Sequence, residues 1–371
     1  MNFTIQREPL LNALQKVQSV VERKNTVQIL GNILCVVQKQ ELSLCATDLE
    51  VGIKVTLPLE AGQTSQDGKI TLSAKHFLDI VKELPNKPLQ ITRKDNNWVE
   101  IVCGKSKFNI VSLSADEYPS LPTFEDKAYA DVRTEALNDM ISKTEFAVST
   151  DATRYHLNGV FFEHLENGVM RMTATDGHRL SFVDCEVFLK MPELKRGIII
   201  PKKGLSEIRK LMGQGEAAIG LAFERGHMFV KFSDCYLFIR LIDGEYPDYR
   251  LVIPKQTDRV VRMDRDTFTS ALKRVSLLAH EKSKGVKLAL QDSTLTISSS
   301  NPDMGEAREE IDVEQSGEPM DIGFNSRYLL ECLNVMNAES LELHIKDRLS
   351  PGILRAVGTQ NHTYVIMPMR I

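Results

Sequence analysis

Leu10, Leu14, Val17 and Val21 recur at spacings of three and four in "REPLLNALQKVQSVVERK". That spacing predicts a helix with one apolar stripe. It returns in "TEALNDMISKTEFAVST", with Leu137, Met140, Ile141 and Phe146, and in "DRDTFTSALKRVSLLAHEK", with Phe268, Leu272, Val275 and Leu278. Asp264, Thr134 and Asp266 stand near helix starts, where N-caps are expected. Each of these segments leads into short alternating apolar and polar runs punctuated by Gly, Asn or Asp, which read as hairpins.

A second, shorter helix pattern follows in each copy: "KITLSAKHFLDIVKEL", "GIIIPKKGLSEIRKLM" and "DIGFNSRYLLECLNVM". Pro201 suits the junction of strand and helix. More strand-like text closes each copy. The chain therefore writes one unit three times, at a period of roughly 120–130 residues, an ordinary domain size. Pro- and Asp-containing linkers near "DEYPSLPTFEDKAYADV" and "DGEYPDYRLVIPKQTDRVV" place the domains at 1–124, 129–250 and 251–371. Such a unit predicts an α+β fold with helices covering one sheet face.

Composition narrows the function. The 371 residues are 42% hydrophobic and 26% charged, as in globular proteins. The six cysteines are scattered singly, without CxxC or nearby histidines, and read as reduced strand thiols of a cytosolic protein. That pattern disfavours a disulfide framework and a zinc site. "MNFTIQREPLL" lacks the pattern of a signal peptide, and no apolar run is long enough to span a bilayer. Charge is sorted along the chain. The segments 7–24, 75–83, 133–154, 202–210, 264–284 and 325–336 hold 19 Lys and Arg against 13 Asp and Glu, a surplus of six. With a net charge of −4, the remainder carries −10. Basic helices on an acidic protein suit contact with phosphates, read without sequence. Aromatic residues make up only 6%, so stacking platforms for single strands are not evident.

"ATDGHRL" packs Asp176, His178 and Arg179 into four positions and invites an enzymatic reading, such as a hydrolase around His178. The repeat supplies a control. The first copy reads "ATDLEVG" there and the third "SSNPDMG", so Thr-Asp is a shared turn and only the second copy carries His and Arg. There is no GxSxG, HExxH or GxxxxGK[ST]. The residues weigh against an enzyme, a metal and a cofactor.

The three copies, with "ATDGHRL", "DGEYPDYR", "GFNSRYLLECLN" and the terminal "YVIMPMRI", resemble the bacterial DNA sliding clamps, the beta subunits of DNA polymerase III, over the whole chain. The resemblance implies a DNA clamp fold in three tandem helix–sheet domains. It implies a head-to-tail homodimer closed as a ring around duplex DNA, helices inside and sheets outside. The implied partners are duplex DNA, a second copy, the replicative polymerase, an ATP-dependent clamp loader, and other replication and repair proteins with clamp-binding peptides. The implied location is cytoplasmic, at the nucleoid, with no membrane. The residue-level competitor is a repeat-built interaction scaffold that does not encircle DNA.

By position, the resemblance assigns a peptide-docking pocket between the second and third domains. It comprises Leu157, Thr175, Gly177, His178, Arg179, Leu180, Pro247, Val252, Val365, Ile366, Met367, Pro368, Met369, Arg370 and Ile371, with Arg154, Asn325 and Tyr328 at its outer portion. Leu180, Met367, Met369 and Ile371 suit adaptable apolar walls. Arg179, Arg154 and Asn325 suit orienting hydrogen bonds. "YVIMPMRI" reads as an edge strand whose end forms a lip. His156 and Leu251 depart from the family pattern at the pocket's edge. The DNA-facing candidates are Arg23, Lys24, Lys202, Lys203, Lys282 and Lys284. For the dimer contact, Phe108 and Ile110 on an edge strand meet Leu277 and Leu278 on a helix. Lys75, Lys105 and Lys107 oppose Glu306, Glu309 and Glu310.

Overall fold

All six expected helices form: α1 (Arg7–Gln18), α2 (Ala74–Glu83), α3 (Thr134–Ser142), α4 (Lys202–Met212), α5 (Arg265–Val275) and α6 (Ser326–Leu333). The computed structural model describes residues 1–21, 27–59, 64–124, 126–165, 168–186, 192–213 and 215–370. α1 buries Leu10, Ala13, Leu14 and Val17, and α5 buries Phe268, Ala271, Leu272 and Val275, so the apolar stripes face inward as read.

The first helix of each repeat is shorter than its stripe suggests. The pattern carries them to Lys24, Arg154 and Lys284; they stop at Gln18, Ser142 and Val275. Hydroxyl groups account for the stops. Ser19 Oγ donates to the Lys16 carbonyl, Ser142 Oγ to Asp139, and Thr144 Oγ1 to Met140, all at 2.8–2.9 Å. Ser276 Oγ donates to the Lys273 carbonyl, and Ser299 Oγ to that of Val275. Side chains that capture the last carbonyls offer the backbone an alternative to another helical turn. At the starts, Asp264 caps α5, accepting from the Thr267 N–H at 2.7 Å. Asp266 lies inside the first turn of α5. Thr134 is already helical, and its hydroxyl finds no hydrogen-bond partner among the described residues, so it is not the expected cap.

The described residues form two compact units, Met1–Thr134 with Lys203–Leu241, and Glu135–Lys202 with Ile242–Ile371. The first unit holds an eight-stranded antiparallel sheet in which Cys235–Arg240 pairs with Val51–Pro58, placing Phe238 opposite Gly52. It also holds a five-stranded sheet whose Ser106–Val111 is an open edge, as expected for Phe108 and Ile110. The second unit repeats the plan. In its eight-stranded sheet Arg179–Cys185 pairs with His362–Ile366, placing Val365 opposite Leu180. Its four-stranded sheet ends on the open edge Gly305–Asp312. His362–Ile366 is therefore an interior strand between Arg179–Cys185 and Gly352–Ala356, not the edge the terminal "YVIMPMRI" suggests. Hydrophobic residues on both faces suit that place.

None of the six cysteines forms a disulfide; five lie on strands, and Cys332 lies on α6 rather than a strand. Among the described residues no helix is long and apolar enough to cross a membrane, and no cluster of His, Cys, Asp and Glu could hold a metal ion.

His362 gives this second unit an acid-labile joint. Its Nε2 lies 3.0 Å from Ser181 Oγ, whose own hydrogen goes to the Lys143 carbonyl, so the imidazole is the donor. Burial, and then the Lys143 charge, lower its pKa to about 4, while Asp139 opposes them. An unfolded chain takes up the proton near 6.5, so stability is full above that value and is lost as pH falls toward 4. The loss should reach about 3 kcal/mol. Urea unfolding of the wild-type chain and of His362→Gln between pH 7 and 4 should show the steeper fall in wild type. Equal slopes would contradict the assignment.

Candidate functional site

"ATDGHRL" is the hairpin turn between strands Met170–Thr175 and Arg179–Cys185. Asp176 Oδ1 accepts from the His178 and Arg179 N–H groups at 2.9 and 3.1 Å. Thr175 Oγ1 accepts from Gly177 and donates to the Arg179 carbonyl. The first repeat makes the same turn bond for bond. Asp48 Oδ1 accepts from Glu50 and Val51, and Thr47 Oγ1 accepts from Leu49 and donates to the Val51 carbonyl. In the third repeat Asn301 Oδ1 accepts from Asp303. The carboxylate that looked catalytic is a turn-forming group.

The second carboxylate oxygen separates the copies. Asp48 Oδ2 pairs with Lys203; Asp176 Oδ2 pairs with Arg179 Nε at 3.1 Å. Arg179 is 6% exposed. Its Nη1 pairs with Glu331 on α6, its Nη2 donates to the Phe146 carbonyl, and its plane lies 4.4 Å from the Tyr328 ring centre. Burial opposes its charge, yet Tyr364, Glu331 and Asp176 hold its pKa raised. Arg179 is thus a buried tie rather than the open hydrogen-bond donor expected. Asn325 is similarly committed. It caps α6 through the Arg327 and Tyr328 N–H groups and donates to the Ser283 carbonyl. Arg154 fits the expectation better, being partly exposed and held through Nε by Asp151 at 3.0 Å. Gly177 has φ +88, and a Cβ there would stand 2.8 Å from Arg154 Nη1; the first repeat holds Leu49 at the same place with φ 77, so glycine here relieves strain and leaves room for Arg154 rather than being needed for the turn itself.

Beside this hairpin lies an apolar floor. Leu157, Leu180 and Val365 are buried in one cluster with Phe182, Ile199, Tyr246, Tyr249 and Ile353. Ile366 is also buried. Around the floor Val252 is 46% exposed, Met367 39% and Leu251 81%, and Pro247 and His178 are exposed. The tail is pinned alongside the turn. Met367 N–H donates to the His178 carbonyl at 2.9 Å, and Met369 N–H to Gly323 at 2.8 Å. Pro368 and Met369 are half-buried and Arg370 is exposed; Ile371 lies outside the described residues. His156 stands edge-on to Tyr155, which is 56% exposed. Residue-level reading missed Tyr246, Tyr249, Phe161 and Ile353. Phe161 stacks on Tyr246 at 5.0 Å, and Tyr249 OH donates to Glu163 at 2.6 Å. The paired tyrosines of "EYPDY" were the available signal.

The DNA-facing candidates disperse. Arg23 and Lys24 lie outside the described residues. Lys282 is in a turn and Lys284, at φ 49, precedes a strand, so neither is on a helix as expected. Lys203 is spent on Asp48. Lys202 opens α4, the most basic helix, with Lys203, Arg209 and Lys210 against Glu207.

Of the dimer candidates, Lys75, Lys105 and Glu306 are exposed. Lys107 pairs with Glu100, Glu309 with Arg274, and Glu310 with Arg308, so the expected opposing charges have partners within the chain. Phe108 is 37% exposed and Ile110 half-buried. Leu277 is 75% exposed and Leu278 half-buried, on a 3-10 turn rather than on α5 itself.

Three family models match the chain: the N-terminal, central and C-terminal domains of the DNA polymerase III beta subunit, at residues 1–122, 131–248 and 250–370. The chain is 36% identical to the beta sliding clamp of Pseudomonas putida over 371 residues, all of both chains. The DNA polymerase III subunit beta of Pseudomonas aeruginosa superposes with a TM-score of 0.94 at 34% identity, again over all of both chains. A sliding clamp of Pseudomonas aeruginosa bound to griselimycin matches over the same extent, with a TM-score of 0.91 at 34% identity.

Arg179→Met keeps an unbranched apolar stem and removes the charge that Asp176 and Glu331 share. Breaking a buried pair this way should cost about 3 kcal/mol, far beyond a surface substitution. Urea unfolding measures it. A change under about 0.5 kcal/mol would contradict the role of Arg179 as a tie.

Proposed function

The chain belongs to the family of beta sliding clamps, the beta subunits of DNA polymerase III, and we propose that it tethers the replicative polymerase to duplex DNA through the face described above. The observation that carries this reading is the buried cluster of Leu157, Leu180, Tyr249 and Val365, with Leu251, Val252 and Met367 exposed on the segments that follow Tyr249 and Val365. An apolar floor with an exposed apolar rim suits a short peptide's side chains. Methionine at the rim adapts to different partners, so several replication and repair proteins share it in turn.

The protein acts by position and makes or breaks no bond. Two copies close head to tail around duplex DNA. Two open edges support this closure. Ser106–Val111 presents Phe108 beside Lys105 and Lys107, and Gly305–Asp312 carries Glu306, Glu309 and Glu310. The turn with Leu277 packs beside the second edge. An unpaired strand edge is a ready template for another strand. Because Lys107, Glu309 and Glu310 already have partners, apolar contact and strand pairing dominate the join, and charge sets its orientation.

Basic side chains, Lys202 foremost, hold phosphates without register, which keeps the ring mobile. The observed helices hold twelve Lys and Arg against eight Asp and Glu, a smaller surplus than the longer segments suggest. An ATP-dependent loader places the ring, and it works in the cytoplasm at the nucleoid; family membership supports both.

Deleting Met367–Ile371 should abolish polymerase binding in a pull-down while the sedimentation coefficient stays that of a dimer; retained binding would contradict the docking face. Leu277→Ala with Leu278→Ala should shift sedimentation toward the monomer mass of 41.8 kDa, and an unchanged dimer would remove this contact.

A further inference from the structure

The linkers that leave the first two repeats share a sequence frame. Aligning Glu117–Tyr118–Pro119 with Glu245–Tyr246–Pro247 sets Leu121 against Tyr249 and Phe124 against Val252. The structure supports that frame independently. Tyr118 and Tyr246 are both buried, and Leu121 and Tyr249 each join the apolar cluster of their own face. The floors correspond as well. Leu180 lies opposite Val365, and Val365 opposite Ile353. Within the first unit, Gly52 lies opposite Phe238, and Phe238 opposite Phe229.

The two faces differ in what covers them. Val252 stands 46% exposed; at the same place in the frame Phe124 is 2% exposed. The Phe124 ring lies 6.1 Å from Phe229, edge-on, and 5.4 and 6.3 Å from Tyr236 and Phe238. Leu121 packs into the same cluster. Tyr129 OH donates to the Phe124 carbonyl at 2.9 Å, which pins the segment. Gly52 makes room: a Cβ there would stand 2.0 Å from the Phe238 ring.

We propose that the first repeat carries a second copy of the docking face, occupied by the chain's own Leu121–Phe124, and that Phe124 thereby limits each chain to one site for an apolar peptide. The proposal rests on the docking reading of the open face. A single ring, buried by three aromatic neighbours, keeps the second face closed.

The probe is the synthetic peptide YPSLPTFED, residues 118–126 of this chain, titrated calorimetrically into the full-length protein. Wild type should bind one peptide per chain. Phe124→Ala should bind two, and Phe124→Val, which installs the residue found at 252, gives the same test if the alanine variant does not fold. Deleting Met367–Ile371 from the Phe124→Ala chain should leave one. A single site in wild type and in both folded variants would overturn the plug and leave the docking face standing. No site in wild type with one in Phe124→Ala would remove the docking reading and sustain the plug. No site in any chain would overturn both.

Discussion

The antiparallel pairing of Arg179–Cys185 with His362–Ile366 is the constraint on which the proposed docking face depends. It joins segments some 180 residues apart, and it sets the "ATDGHRL" turn beside the tail that carries Met367 and Met369. Register matters because side chains alternate between faces: slipping the pairing by one residue would turn Val365 and Leu180 away from the floor. Arg179 secures that register at the turn end, gripping Asp176, Glu331 and the Phe146 carbonyl together. So distant a pairing carries a loop-closure cost, which the buried tie and the apolar cluster beneath it offset.

A face built in this way is rigid below and adaptable above. Leu157, Leu180 and Val365 are buried, whereas Met367 and Leu251 are exposed, the division that the proposed docking of a peptide calls for. Moderate affinity suffices for a tether, because linkage to DNA keeps the partner's effective concentration high at the primer end. Specific contacts to base edges would oppose movement, whereas phosphate contacts do not.

Periodicity was the readable part of the sequence. The helices, their inward stripes and the repeated hairpin turn all follow from local spacing, and the turn recurs hydrogen bond for hydrogen bond at Thr47–Asp48 and Thr175–Asp176. The helix ends were not readable from the stripe, since the apolar pattern runs past Ser142 and Ser276 while their hydroxyls take the last carbonyls. Long-range pairing hid more. Nothing near Arg179 announces Glu331, 152 positions away, and nothing near Lys203 announces Asp48. Both cations read as free donors until the fold supplies their partners. The floor was legible at Leu157, Leu180 and Val365 through the family resemblance. Ile353 reaches it only through strand pairing with Val365, which no local spacing encodes.

Tethering of this kind requires that the protein hold DNA by enclosing it. The most direct test loads the protein onto a circular plasmid with an ATP-dependent loader, then cuts the plasmid once and follows the bound fraction by gel filtration. Enclosure predicts retention on the intact circle and release through the new ends. Equal retention on circular and linear DNA would contradict it.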